Sequence, residues 1–420
     1  MKTNINFTII LLLALCSLSN FAQTVTTFAG STFGFANGTG TAAQFLGPQD
    51  IASDYLGNLY VADTYNHLIR KITPSGIVTT VAGSTQGFAN GIGAAAKFDT
   101  PFGIAVNNAG TFIMVADTNN NKIRQIAINT GMVTTIAGDV SGFLDGSTSS
   151  ALFNAPKGID IFGTSVYVAD TGNNKIRKID AAGVSTIAGT SAGLVDGPVA
   201  TAKFFAPTSL VVNAAGEIFI ADTFNHRIRR IAGGQVNTFA GSTAGYTDAT
   251  GINAKFTGPD GILVDPATNT FYVSSDHKIR KITSTGVVTT LAGSTQGLNN
   301  GSGLAAQFNG PKGLAFGTTI DKIFVAENGN HQIRLIDSGP LSNSKFEVND
   351  FSIYPNPSNG IFTIKNIENK INIVAYDILG KEVAVKEVAD NQFSIENKGI
   401  NFLKIISDNG KITNYKLIIK

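Results

Sequence analysis

The chain has 420 residues, a formal net charge of +2, 14% charged residues and no tryptophan. So sparse and balanced a charge gives no basic field for a phosphate backbone, which disfavours nucleic acid as a partner. The single cysteine, Cys16, falls in the first segment, so the rest of the chain has no disulfide, cysteine nucleophile or thiolate metal site.

That first segment reads as an export signal. Lys2 gives a positive start, Ile9 to Leu15 is apolar, and cleavage is expected after Ala22, which makes residues 1–22 a signal peptide. A lipoprotein reading would use Cys16, but Leu15 is a poor residue before a lipidated cysteine. The apolar run is too short to span a bilayer, and no later segment has the length of a membrane span.

A motif then recurs six times: VADTYNHLIRKI, VADTNNNKIRQI, VADTGNNKIRKI, IADTFNHRIRRI, VSSDHKIRKI and VAENGNHQIRLI. Its common arginines are Arg70, Arg124, Arg177, Arg229, Arg280 and Arg334, separated by 54, 53, 52, 51 and 54 residues. A period of this size marks an array of supersecondary units. Each repeat carries four short Val/Ile/Thr/Phe-rich strand signals punctuated by Gly, Asn and Asp, as in GIAVN, TFIMVAD, NKIRQIAI and GMVTTIAG. Four strands in each of six repeats predict an all-β fold, a six-bladed β-propeller. The last repeat lacks its fourth strand after HQIRLIDSG, whereas TVTTFAG at 24–30 is an orphan fourth strand similar to VVTTLAG at 287–293. The N-terminal strand is therefore expected to complete the last blade and remove an exposed edge.

Within the motif, Asp63 and Arg70 are equidistant from a turn centred between Asn66 and His67, so they are expected to be directly opposed cross-strand partners. The same reading pairs Asp117 with Arg124, Asp170 with Arg177, Asp222 with Arg229 and Glu327 with Arg334. In the fifth copy, two residues shorter, Ser275 falls opposite Arg280 and Asp276 is the nearest substitute carboxylate. Six copies of a charge pair suit a scaffold better than a site. An Ala-x-Phe element before each first strand (Phe45, Phe98, Phe153, Phe204, Phe256 and Phe308) is expected to plug the space between blades. These residues resemble the NHL-repeat family over roughly residues 24–338, through the D-T-x-N-x-x-I-R core and the preceding G-P-x-G-I strand start. The resemblance implies a propeller. It leaves function open, because the family includes binding scaffolds and a few enzymes.

The positions that vary between repeats are the candidate site. Just after the Pro that opens each first strand stand Gln49, Phe102, Lys157, Thr208, Asp260 and Lys312. They are expected to ring one mouth of the central channel, on the face that also carries the second turns with Tyr65, Asn119, Gly172, Phe224 and Gly329. The four histidines, His67, His226, His277 and His331, fall in second turns of different repeats, too far apart to share a metal. No metal or cofactor is expected, although Asn or Asp followed by Gly recurs in the long loops at 90, 145 and 196. Calcium could use such oxygens; turn formation explains the same pairs.

After Asp337 the composition changes. A linker is expected over 339–350, and 351–420 has nine Lys, seven acids and no Arg. Its short strand signals predict a small β-sandwich. YPNPSNG at 354–360, YDILGKEV at 376–383, KGINFLKI at 398–405 and the terminal KLIIK resemble the C-terminal sorting domain of the type IX secretion system of Bacteroidetes-type bacteria. This implies Sec export, passage across the outer membrane by the type IX machinery, and surface attachment or release. The expected domains are thus 1–22, a propeller over 23–338, a linker over 339–350 and a sandwich over 351–420. The expected function is a non-catalytic binding scaffold for a protein or glycan. The alternative is a lactonase-like propeller hydrolase or lyase with a divalent metal at the channel mouth.

Overall fold

The structure is a computed structural model that describes residues 23–339, 352–365, 371–377, 381–407 and 412–420. The expected signal peptide and, apart from Gly339, the expected linker lie outside the described residues. The chain divides into two units, Met1–Gly339 and Pro340–Lys420.

The first unit holds six antiparallel sheets of four or five strands. The second repeat shows the pattern: Pro101–Val106, Phe112–Asp117, Lys122–Ala127 and Met132–Ala137 pair in chain order. The strand Thr24–Ala29 pairs antiparallel with Gln332–Asp337, Val25 facing Ile336 and Thr27 facing Arg334, so the last sheet is completed by the N-terminal segment. Four sheets gain a fifth strand that the sequence does not announce. Two-residue segments such as Gly38–Thr39 and Gly91–Ile92 pair with the outer edge of the fourth strand. In the third and fifth sheets single bridges, Gly146 to Val184 and Thr250 to Val287, take that place. These segments cover edges that would otherwise present unpaired backbone groups.

Alternation along the strands buries both faces of each sheet against its neighbours. Six apolar clusters lie between consecutive sheets, and the sixth sheet shares one with the first. Phe324, Ala326 and Ile333 pack there on Ile51, Val61 and Val78. The first strands touch in the same cyclic order, and the last of them, Pro311–Phe316, meets Asp50–Ser53 of the first sheet. Each cluster includes one of the Ala-x-Phe phenylalanines, all fully buried.

The expected hairpin register is corrected. Asp63 opposes Leu68 and Arg70 opposes Val61; likewise Asp117 opposes Lys122 and Arg124 opposes Val115. The turn is a 3-10 segment, Thr64–Asn66, closed by His67 at φ 58°. It is therefore centred one residue earlier than equal spacing suggests. Asp and Arg share a face as diagonal neighbours, and the long arginine side chain spans the offset.

The second unit has two four-stranded antiparallel sheets. One contains Ser352–Tyr354, Ile361–Lys365, Lys386–Ala389 and Gln392–Ser394; the other contains Ile371–Asp377, Glu382–Val383, Gly399–Ser407 and Ile412–Ile419. Phe362 and Phe393 of the first share one apolar cluster with Ala375, Leu403 and Leu417 of the second.

Candidate functional site

Each motif residue has a bond to make, and most of those bonds join elements distant in sequence. Arg70 donates from Nη1 to Asp63 Oδ2 at 2.7 Å and to the Gln44 carbonyl at 3.1 Å. Its Nη2 donates to the Ala36 carbonyl and to Asn37 Oδ1. The Asp63 carboxylate also accepts the Leu46 N–H at 2.7 Å and the Asn66 amide at 2.9 Å, and that amide donates as well to the Gly34 carbonyl. Thr64 donates to the carbonyl of Pro101, which opens the next sheet's first strand. The guanidinium lies over the buried Phe45 ring, 5.3 Å from its centroid. A buried ion pair is tolerable only when its remaining donors and acceptors are satisfied, and here nearly all are.

The other pairs are Asp117–Arg124 at 2.6 Å, Asp170–Arg177 at 2.7 Å, Asp222–Arg229 at 2.7 Å and Glu327–Arg334 at 3.0 Å, all with fully buried side chains. Burial pushes the Asp63 and Asp117 carboxyls up to about 6, against the pull of their hydrogen-bond donors and of Arg70 and Arg124. The fifth repeat departs from expectation. Ser275 faces Lys278 rather than Arg280, and Asp276 instead accepts the Tyr246 hydroxyl. Arg280 is neutralised by Asp248 of the preceding loop at 2.6 Å. Asp248 stands at the loop position held elsewhere by Asn37, Asn90, Asp145, Asp196 and Asn300, each of which accepts from its repeat's arginine. The loop oxygens considered for calcium are thus guanidinium acceptors. Among the described residues no group of three or more His, Cys, Asp or Glu is placed to hold a metal ion.

The histidines also link sheets. The residue ending each second turn is left-handed, with φ between 54° and 59°, a conformation that Asn, Asp and His adopt more readily than most residues. His67 Nδ1 accepts the Thr100 N–H at 3.1 Å, His226 Nδ1 accepts Gly258 N–H at 3.1 Å and His331 Nδ1 accepts Gly47 N–H at 3.0 Å. Asn121 and Asn174 do the same with Oδ1. Imidazole and amide are interchangeable here as acceptors, but only the imidazole titrates. Burial lowers the His67 value below its ordinary one, with Asp99 pulling the other way. The unfolded chain therefore takes up a proton at higher pH than the folded chain. The contribution is complete above the unfolded value and is lost as pH falls through it. His67→Asn is expected to match the parent at pH 8 and to melt above it at pH 5. Identical melting curves at both pH values would show that His67 does not titrate against the fold.

The hydrogen bonds from Asn66 to Gly34, Asn120 to Gly87 and Thr64 to Pro101 place the second turns, the long loops and the first-strand starts on one face. Of the six candidate mouth residues, two form an ion pair: Lys312 Nζ lies 2.5 Å from Asp260 Oδ2. Lys157 lies over Phe102, 4.9 Å from the ring centroid, and has no carboxylate within ion-pair distance among the described residues. Burial lowers its amine, Lys312 adds to this and Asp260 opposes it. Thr208 is buried and its hydroxyl lies 2.6 Å from that of Thr223, so it ties strands together rather than lining an opening. Gln49 is also buried, and its Oε1 has no hydrogen-bond partner. Tyr65 and Phe224 are exposed on the second turns, and Phe35, Phe88, Phe143 and Tyr246 on the long loops.

Two acids in the channel escaped the sequence reading. Asp50 stands where the other first strands have Gly103, Gly158, Ser209, Gly261 and Gly313, and Asp160 replaces an apolar residue. Asp50 accepts the N–H groups of Ile51 and of Ile104 in the next sheet at 2.9 and 3.0 Å. Asp160 accepts those of Ile161 and of Val212 in the next sheet at 2.8 and 2.7 Å. Burial raises Asp50 to about 7, and Asp260 and Asp160 add to it; burial raises Asp160 to about 6. Their oxygens are engaged as staples between first strands. The available signal was an acid at a position otherwise small or apolar.

Residues 45–72 match the NHL repeat, and residues 352–420 match the secretion system C-terminal sorting domain. The latter marks the chain for type IX export to the cell surface or extracellular space. Among curated proteins, the chain is 29% identical over 356 residues to NHL repeat-containing protein 2 of Bos taurus, covering 72% of this chain and 48% of the relative. It thus spans about half the length of that relative. Among solved structures it is similar to a structural-genomics protein of unknown function from Bacteroides thetaiotaomicron, with TM-score 0.59, 19% identity and coverage of 75% of this chain and 76% of that one. An auxiliary nutrient binding protein from the same species gives TM-score 0.58 and 18% identity, with the same coverage of both chains. At these identities the likeness is one of fold.

Proposed function

Taking the chain as an NHL-repeat propeller with a type IX sorting domain, we propose that it is a non-catalytic scaffold that binds a protein or glycan outside the cell. In this reading the six sheets are the blades of a six-bladed propeller closed by the N-terminal strand, over 23–338. A signal peptide (1–22) precedes it, and a linker (339–350) and a sorting β-sandwich (351–420) follow. The ligand seats on the loop face, over the channel mouth. One observation carries the proposal. The repeated charges are neutralised within their own repeats and Asp260 is paired with Lys312, which leaves Lys157 at the mouth as a half-buried cation with no carboxylate beside it. Holding a cation there without a partner costs stability, a cost that an incoming acceptor would offset. The exposed aromatic side chains on the second turns and long loops are the kind enriched where proteins make contacts. That a solved neighbour of the same fold is described as a nutrient binding protein accords with this reading.

The test is a screen of the intact protein against a glycan array and a panel of extracellular proteins, followed by titration of any hit with Lys157→Ala. The expected result is saturable binding that weakens by about tenfold or more in the variant, the size of one lost charge-assisted contact. Substrate turnover by the protein, with no binding partner found in the screen, would overturn the proposal.

A further inference from the structure

The fourth sheet keeps a cation at the start of its third strand but loses the aromatic ring over it. In the second, third and fifth sheets a lysine opens the third strand beneath an aromatic ring: Lys122 under Phe88, Lys175 under Phe143 and Lys278 under Tyr246, at 4.9, 4.5 and 5.4 Å. These lysines donate to carbonyls at the end of the fourth strand. Lys122 bonds Asp139 O at 2.8 Å, Lys175 bonds Thr190 O at 2.8 Å and Lys278 bonds Ser294 O. In the fourth sheet the lysine is Arg227 and the aromatic is Leu194. Arg227 turns back to donate from Nη1 to the Asn225 carbonyl at 2.7 Å. With the ring gone and the cation turned away, a pocket of about 370 Å³ opens, lined by Arg227, Asp196, Leu194, Thr238, Gly241, Ser242 and Ile252.

The lining defines a chemistry. Among the described residues no carboxylate lies within ion-pair distance of Arg227. The nearby Asp196 is already committed: one oxygen accepts Arg229 through Nε and Nη2, the other accepts the Thr238 N–H. Arg229 is shared between Asp196 and the buried Asp222, so Arg227 is the cation that balances the charge at this wall. Leu194 and Ile252 present exposed apolar sides. A planar guanidinium with free donors matches the two oxygens of a carboxylate, and the volume falls in the range of small-molecule sites. We propose that this pocket, away from the channel mouth, is a second binding site that takes a small organic carboxylate, its charged end on Arg227 and its apolar body against Leu194 and Ile252.

The repeat supplies its own control. Arg227→Lys installs the residue found in three other sheets, which has a ready partner in the Ser242 carbonyl, so the fold is expected to persist. Leu194→Phe restores the missing roof by a different route. Titration of the full chain with phenylacetate, followed by calorimetry and saturation-transfer NMR, is expected to show one saturable site. Its affinity should fall at least tenfold in each variant, and inorganic phosphate should compete poorly. Three results would overturn the proposal: no binding by the parent, equal binding by both variants, or phosphate binding as tightly as phenylacetate. Lys157→Ala is expected to leave phenylacetate binding unchanged, which separates this site from the channel mouth.

Discussion

Arg177→Ala is expected to cost about 3 kcal/mol or more of unfolding free energy, the usual consequence of removing one partner of a buried, hydrogen-bonded ion pair. The Arg177 and Asp170 side chains are fully buried. Removing the guanidinium strands the Asp170 carboxylate, one oxygen of Asp145 and the carbonyls of Leu144 and Leu152, all of which accept from it. The variant also leaves a cavity against Phe143 and Phe153, whose ring centroids lie 4.9 Å from the guanidinium carbon. Lys178→Ala, one residue along on the solvent side, is the matched control. Its pair with Asp180 is solvent-exposed, and such pairs add little stability. Urea unfolding followed by circular dichroism measures both. Equal losses in the two variants would contradict the reading of the motif as a buried, self-satisfied web.

Phe204→Ala is expected to destabilise by about 3–5 kcal/mol, as for other large buried aromatic side chains. Phe204 is completely buried among residues of the third and fourth sheets, including Ala169, Ile176, Leu210 and Val236. It also lies under Arg229, 5.2 Å from ring centroid to guanidinium carbon. The surroundings are poorly able to collapse, because the Gly189 backbone already approaches the ring: a Cβ built on that glycine would sit 3.1 Å from it. Phe224, on the loop face, is an exposed aromatic of the same sheet. Its replacement by alanine is expected to change stability by less than about 0.5 kcal/mol. Denaturant midpoints for the two variants separate the plugs from the exposed aromatics. A small loss at Phe204 would show that the sheets close up without their plugs.

The repeated arrangement was legible because the chain can be aligned against itself. A residue type that recurs at one position in five or six sheets, such as Arg70 and its equivalents, announces a common task. Its geometry was less legible. Equal spacing from Asp63 to Arg70 suggested direct opposition, but the left-handed residue that ends each turn shifts the register. The same conformation accounts for His67, His226 and His331, with Asp276 taking it in the fifth repeat, and the role of the histidines as acceptors became visible only with the next sheet in place. In the fifth repeat the substitute acid came from Asp248, in a loop more than thirty residues upstream of Arg280, where local spacing has nothing to say. Two-residue edge strands are too short to carry an alternation signal. The candidate mouth was legible as a set of variable positions. Which of them face the opening was not: Thr208 is turned to Thr223 and Gln49 is buried. The acids Asp50 and Asp160 were hidden for the opposite reason, since they are individual departures rather than repeats.

The most direct measurement is hydrogen–deuterium exchange of the intact protein with and without the best ligand from the screen. The account predicts protection on the loop face, at the first-strand starts around Lys157, Asp260 and Lys312 and at the adjoining second turns, with the opposite-face turns near Asp54–Gly57 and Thr73–Gly76 unchanged. Protection confined to those opposite-face turns would contradict it.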